Sequence, residues 1–297
     1  MSEALTLEVD GPFSLAAAAE FGFGPNQGRA PVFDGAMRLA FAVDGGGYAG
    51  ILARQPRADG PLECEVFGDG EIGAVERQLR RVLSLDHDGE GFLEVGRRDE
   101  VIGELQRRHP GQRPVLFHSP YEAAAWAIIS TRRPAASAAK LRRELAERLG
   151  ESFELGGETL AAFPQPERLL EVELEPGHHA AERLQRVKGV ARAALEGSLD
   201  AERLRALGPA AAYQELQALR GIGPFYASLI VLRAAGFADA GLFVAEPHLL
   251  GHLGRFYGLH APATLERYAA ISEAWRPYRT WTAVLVRLAG DREFGRR

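Results

Sequence analysis

The chain has 297 residues, a net charge of −5, 46% hydrophobic and 25% charged side chains, the make-up of an ordinary folded protein with room for one large or two ordinary domains. Its single cysteine, Cys64, excludes an internal disulfide and a four-thiolate iron–sulfur cluster, and fits a reducing, cytoplasmic setting. No basic stretch opens the N-terminus, and Leu15–Ala19, followed by Glu20, is too short for a signal peptide or a membrane span, so no membrane association is expected.

The overall charge argues against a simple basic nucleic-acid-binding domain, but it hides an asymmetry. Residues 1–110 hold 11 Lys/Arg against 19 Asp/Glu, a balance of −8, whereas residues 111–297 hold 24 against 21, a balance of +3. The second part is therefore the better partner for phosphate, through local contacts rather than a broad field.

Residues 1–110 read as an α+β domain. Met37–Val43 alternates apolar with small or polar side chains, Gly45–Gly47 turns, and Tyr48–Ala53 follows, which predicts a hairpin. Pro61–Phe67 is a further alternating run, and Val75, Leu79, Val82 and Leu83 share one helical face. The expected architecture is an antiparallel sheet with a helix on one side, and no site chemistry stands out in it. Two prolines, a glycine and four basic or imidazole side chains in Arg107–Pro114 mark a boundary near residue 110.

Beyond it, residues 111–297 read as helical. Ser119-Pro-Tyr-Glu122 has the capping-box pattern that opens a helix. Helices are expected over Pro134–Leu149, Glu167–Val172, Ala180–Leu195, Ala201–Leu207, Leu265–Trp275 and Tyr278–Ala289, with no repeat or low-complexity stretch. In their midst, Pro209–Leu219 and Phe225–Ala235 are two apolar helices joined by Arg220-Gly-Ile-Gly-Pro224. Gly221 and Gly223 can take positive φ and place no Cβ before an approaching group, and Pro224 suits a first helical position. Such a turn offers bare amides at a helix N-terminus, an anion site suited to a nucleic-acid phosphate, although a GxG turn between packed helices is also a frequent structural element.

The string Leu219-Arg-Gly-Ile-Gly-Pro-Phe-Tyr-Ala227 resembles the helix-hairpin-helix of DNA glycosylases, L-x-G-[IV]-G-x-x-x-A. Trp275-Arg-Pro-Tyr-Arg-Thr-Trp281, Ala139-Lys-Leu141 and Phe163-Pro-Gln-Pro-Glu-Arg-Leu169 are similar to segments of bacterial 3-methyladenine DNA glycosylase II, the AlkA-like branch, in that family's order across residues 112 to 290. The resemblance implies an N-terminal TATA-binding-protein-like domain, a helical glycosylase domain, and a monomer that excises damaged bases from double-stranded DNA. No cofactor is implied beyond a monovalent cation at hairpin carbonyls.

The family supplies a gap-filling residue from the loop occupied here by Thr131, Arg132 and Arg133, usually with Gln and an aliphatic. The arginines depart from that pattern; they can stack in the gap or hold a phosphate, or they are simply solvated. The family's catalytic aspartate falls in Phe243-Val-Ala-Glu-Pro-His-Leu249, where this chain has Glu246. A carboxylate there can stabilise an oxocarbenium-like charge or orient water, but Glu is one methylene longer, and a misplacement of ~1 Å can lower a rate by ~10²-fold. An acidic side chain at a helix N-terminus also has a purely structural reading. Asp239 comes too early in the pattern and reads as a turn residue.

Glycosylases that also cut the strand carry a lysine at the second position after the hairpin's last glycine. Phe225 occupies it here, which implies hydrolysis alone and leaves an aromatic to stack the base. Tyr278 fits a stacking role as well, with Trp126 and Trp281 as further candidates for the pocket wall, each of which also reads as core. A cationic alkylated purine on an aromatic face would gain ~0.5–2 kcal/mol per contact. His248 and His252 are spaced i,i+4 without a third ligand, and His178-His179 precedes a helix, so no metal site is expected. Removal of 3-methyladenine-type purines is the expected function. A lesion-binding protein without turnover and a glycosylase for a deaminated or oxidised base remain open.

Overall fold

The computed structural model describes residues 2–21, 33–173 and 181–295; His178 and His179 lie outside them. Four strands, β1 (Glu3–Leu7), β2 (Ala36–Ala42), β3 (Tyr48–Arg54) and β4 (Leu62–Gly68), form an antiparallel sheet in the order β1-β4-β3-β2, with α1 (Leu15–Ala19) between β1 and β2 in the chain. The predicted hairpin pairs Met37 with Ala53 and Ala42 with Tyr48. Helix α2 (Ile72–Val82) buries Val75, Leu79 and Val82, and the following Leu83, in a core with Phe41, Ile51 and Leu62.

Helices α3 (Gly89–Arg98) and α4 (Glu100–Arg108) precede the boundary expected near residue 110 but share their core with the C-terminal helices. Phe92, Val95, Ile102 and Leu105 pack with Leu249, Leu253, Trp275 and Trp281. Periodicity marks their apolar faces without saying which core those faces meet.

The helical body contains α5 (Pro120–Ser130), α6 (Ala135–Leu149), α7 (Pro166–Leu170), α8 (Ala181–Leu195), α9 (Ala201–Leu207), α10 (Pro209–Leu216), α11 (Pro224–Arg233), α12 (Pro247–Phe256), α13 (Leu265–Ser272) with a following 3₁₀ turn, and α14 (Arg279–Phe294). Ser119 caps α5 by accepting from the Glu122 amide, with Pro120 in the first turn. Every residue of α5 before Ser130 is buried, because it runs through the middle of the helical core between α8 and α11.

One element departs from the all-helical expectation for this part. Strands β5 (Ser152–Leu155) and β6 (Glu158–Ala161) form a two-stranded hairpin laid on the sheet. Its Phe153 ring lies where a Cβ at Gly50 of β3 would be, and Leu155 and Ala162 join Ala40 of β2 in a small core. This second covered face accounts for the continuous burial along the middle of β3.

Two cores thus make up the helical body: one around α5, α8, α10 and α11, the other around α3, α4, α12 and α14. Four of these helices, α5 and α11 from the first and α12 and α14 from the second, wall the cavity described next.

Candidate functional site

The hairpin is anchored by Ile222, which is buried and donates its amide to the Leu219 carbonyl at 2.9 Å. Gly221 takes φ +96°, and a Cβ there would sit 2.7 Å from Ile128 Cδ1 of α5. Gly223 does not take positive φ as expected; at φ −86°, ψ 179° it is extended and serves as the N-cap of α11 with no side chain to cap the amides behind it. The first amides of a helix have no partner within it, so α11 presents them at an exposed end, with open space where a Gly223 side chain would be.

The loop after α5 lies beside this end. Thr131 closes the helix, donating its hydroxyl to the Ala127 carbonyl at 2.6 Å, while Arg132 and Arg133 are exposed. Arg132 has φ +54°, a conformation that costs a non-glycine residue on the order of 1 kcal/mol. Arg183 of α8 donates to the Ile128 carbonyl at 2.6 Å and reaches those of Ile129 and Thr131. Burial, and then the charges of Arg133 and Arg186, hold the Arg183 guanidinium below its ordinary pKa. Arg186, paired with Glu182, in turn flanks Gly221, so several arginines gather around the hairpin and the α5 loop.

Between the two cores lies a cavity of about 510 Å³. Trp126 and Ser130 of α5 and Phe225, Tyr226 and Leu229 of α11 line its hairpin side. Phe225 is 51% exposed at the rim, edge-on to Tyr226, whose hydroxyl lies 3.1 Å from that of Ser130. Arg233 of α11 also enters the wall; its guanidinium lies 4.7 Å from the Phe21 ring centroid and donates to the Val115 carbonyl, and burial followed by the charge of Arg287 lowers its pKa.

Glu246 and Arg287 line the same space from α12 and α14. Glu246 is the N-cap of α12, ahead of Pro247 in the first turn, and accepts from the amides of His248 at 3.3 Å and Leu249 at 2.6 Å. Arg287 Nε donates to Glu246 Oε2 at 3.2 Å, and the same guanidinium is ion-paired with Asp291, another wall residue. Asp291 also meets His252 Nε2 at 2.9 Å. His252 is thereby engaged within the protein, and among the described residues no group of three or more His, Cys, Asp or Glu is placed to hold a metal.

Glu246, Phe225 and Trp126 therefore face one cavity, and the hairpin residues Gly221, Gly223 and Pro224 and the loop Thr131–Arg133 adjoin it in the chain at its α11 and α5 walls. Tyr278 and Trp281 do not line it. Tyr278 is 7% exposed and donates its hydroxyl to the Asp88 carbonyl at 2.6 Å; Trp281 is 2% exposed, edge-on to Phe92 with Arg113 over its ring. The cavity-lining residues of α14 run from Thr280 through Val284 and Arg287 to Asp291 and Arg292, and Trp281, at the edge of that stripe, packs instead on Phe92 of α3. Asp239 is likewise outside the cavity, paired with Arg276 and Arg279 at the base of α14. Sequence reasoning missed Tyr226, Arg233, Arg287 and Asp291. Only the α14 stripe, with two charges inside an apolar helix, signals the last two.

No family model matches the chain. It is 23% identical over 210 residues to the DNA-3-methyladenine glycosylase of Bacillus subtilis, covering 70% of this chain and 69% of that one. It is 30% identical over 195 residues to DNA-3-methyladenine glycosylase 2 of Escherichia coli, covering 63% of each. With a Mycobacterium tuberculosis protein described as a probable bifunctional transcriptional activator/DNA repair enzyme AlkA it shares 28% identity over 259 residues, 84% of this chain but about half, 49%, of that one. Among solved structures, the 3-methyladenine DNA-glycosylase of Archaeoglobus fulgidus superposes with a TM-score of 0.75 at 22% identity, covering 98% and 99% of the two chains. A Clostridium acetobutylicum 8-oxoguanine glycosylase/lyase in complex with double-stranded DNA superposes with a TM-score of 0.66 at 17% identity, covering 100% and 99%.

Proposed function

Because the chain belongs to the AlkA-like helix-hairpin-helix DNA glycosylases, we propose that it removes alkylated purines of the 3-methyladenine type from duplex DNA by base flipping and hydrolysis. The observation that carries this reading is a cavity lined on its hairpin side by Phe225, Tyr226 and Trp126 and also by the carboxylate of Glu246, the N-cap of α12. The exposed amides of α11 would hold a phosphate beside the lesion, with Arg132 or Arg133 in the vacated space and Phe225, Tyr226 and Trp126 around the flipped base. Glu246 would stabilise positive charge developing on the sugar as the N-glycosidic bond breaks, or orient the attacking water.

Hydrolysis without strand cutting is favoured by Phe225 at the hairpin and by the absence of lysine from the described cavity wall. A monovalent cation held by hairpin carbonyls such as that of Leu219 would add charge beside the phosphate.

A second reading rests on Arg233 and Arg287. With Arg292 they stand in the same wall as Glu20, Glu246 and Asp291, so its charges balance, and a neutral, carbonyl-bearing lesion such as a deaminated base would accept from a guanidinium there. Single-turnover base release from duplexes carrying one 3-methyladenine, 7-methylguanine or hypoxanthine separates the two. Release of the methylated purines, lost on Glu246→Gln, with strand breakage only after alkali, is the expected result; hypoxanthine released alone would select the second reading.

A further inference from the structure

We infer, resting on the role of Glu246 given above, that Arg287 is a positioning residue matched to a glutamate: it pins one carboxylate oxygen and leaves the other to act on the sugar or the water. Glu246 Oε2 takes both short contacts, from the Leu249 amide at 2.6 Å and from Arg287 Nε at 3.2 Å. Among the described residues Oε1 has only the His248 amide at 3.3 Å, at the long edge of hydrogen bonding. The two oxygens are thus unequal, and Oε1 is the less committed one in a wall that faces the cavity.

This arrangement answers the problem of the extra methylene. The Glu246 side chain folds back over the N-terminus of its own helix to reach two amides, so the added length is taken up in the cap rather than extended toward the substrate. An aspartate can cap the same amides. Its carboxylate would sit about 1.5 Å closer to the backbone, one C–C bond short, and so away from Arg287 Nε.

Helix packing sets the position of Arg287. At Gly290, one turn along α14, a Cβ would run into the His252 imidazole, so glycine there permits the close approach of α12 and α14. His252 then meets Asp291, and Asp291 is paired with the Arg287 guanidinium. The chain His252–Asp291–Arg287–Glu246 adds a side-chain hold to the same carboxylate oxygen that the Leu249 amide caps. A surface ion pair of no consequence would not need this support; with side chains 30% and 28% exposed, Arg287 and Glu246 by themselves would contribute little to stability.

The test is single-turnover base release, with affinity for a duplex carrying a stable abasic analogue and the thermal midpoint, for the native protein, Glu246→Gln, Glu246→Asp, Arg287→Met, Arg287→Lys and the double variant Glu246→Asp/Arg287→Met. Expected are a loss of ~10²-fold for Glu246→Gln and of ~10-fold or more for Arg287→Met at unchanged affinity, since small misplacements of a reacting group have effects of this size. Arg287→Lys should restore part of the rate. Loss of Arg287 should add little to Glu246→Asp, because both changes break the same contact.

Native rates in Arg287→Met, or a double variant as slow as the product of the two singles, would overturn the positioning role while leaving Glu246 as the carboxylate. A native rate in Glu246→Gln would instead overturn the carboxylate reading, and the inference with it. Should Arg287→Met melt well below the native protein, Arg287→Lys decides: a slower rate at unchanged affinity supports the role, and the native rate overturns it.

Discussion

Two glutamates stand at the starts of helices in this protein, each held by an arginine from another helix, and their surroundings differ completely. Glu122 in the first turn of α5 is 4% exposed and bound by Arg142 Nε at 2.9 Å and His118 Nδ1 at 2.9 Å. Burial pushes its carboxyl toward neutrality, yet Arg142, then His118, outweigh that and hold its pKa at about 2. Glu246 at the start of α12 also has an arginine partner, but its other contacts are the backbone amides of its own cap, and it opens on a cavity with one oxygen lightly engaged. A carboxylate sealed and saturated by its partners can only stabilise the fold. One that faces space for a ligand with a free lone pair can meet a developing charge.

The contrast is sharpest if each arginine is removed. Arg142→Met leaves an ionised carboxylate buried without its main partner and should destabilise the protein by about 3–5 kcal/mol, read by denaturant unfolding, with base release per folded molecule unchanged. Glu246→Gln should do the reverse, changing stability by no more than about 1 kcal/mol, the worth of a helix cap. A Glu246→Gln variant as unstable as Arg142→Met would dissolve the distinction.

Acid separates the sites next. Glu122 has a folded-state pKa of about 2 against 4.5 for the free side chain, so the folded state binds the proton less tightly than the unfolded one. The resulting stability is fully present above pH 4.5 and is lost as the pH falls toward 2; a shift of this size is worth on the order of 3 kcal/mol. Unfolding measured from pH 6 to pH 2.5 should therefore show a steeper loss for the native protein than for Glu122→Gln. Parallel curves would mean that the Arg142–His118 clamp does not hold the carboxyl down.

How much of this could be read in the sequence follows the range of the interaction. Local signals were legible: the apolar face of α2, the Ser119 cap of α5, the hairpin motif, and Glu246 before a helix-starting proline each depend on a few adjacent residues. The aromatics Tyr278 and Trp281 were not, because spacing along α14 makes them apolar without choosing between the cavity and the second core, and α3 was there to cover them. Arg287 meets Glu246 across 41 positions, through a helix crossing that no local pattern reports. The β5–β6 hairpin escaped for a related reason: two four-residue strands acquire their burial from a sheet more than 80 residues earlier in the chain.

The smallest expected effects lie in the hairpin, where a third helix start, that of α11, has no side-chain cap at all. Its two glycines look equivalent in the motif and are not equivalent in space. At Gly221 an added methyl meets both a left-handed backbone and Ile128, so Gly221→Ala should destabilise the protein by about 1–3 kcal/mol. At Gly223 the backbone is one any residue adopts and a Cβ meets nothing within 4 Å, so Gly223→Ala should shift stability by less than about 0.5 kcal/mol. The same methyl would, however, project beside the bare amides that are proposed to meet a phosphate, and its expected mark is a several-fold weaker affinity for duplex DNA at fixed salt. Thermal melts and DNA titrations of both variants check this division. Equal loss of stability at the two positions would make the hairpin a purely structural turn, whereas weakened DNA binding in a fully stable Gly223→Ala protein would place the phosphate at the uncapped helix end.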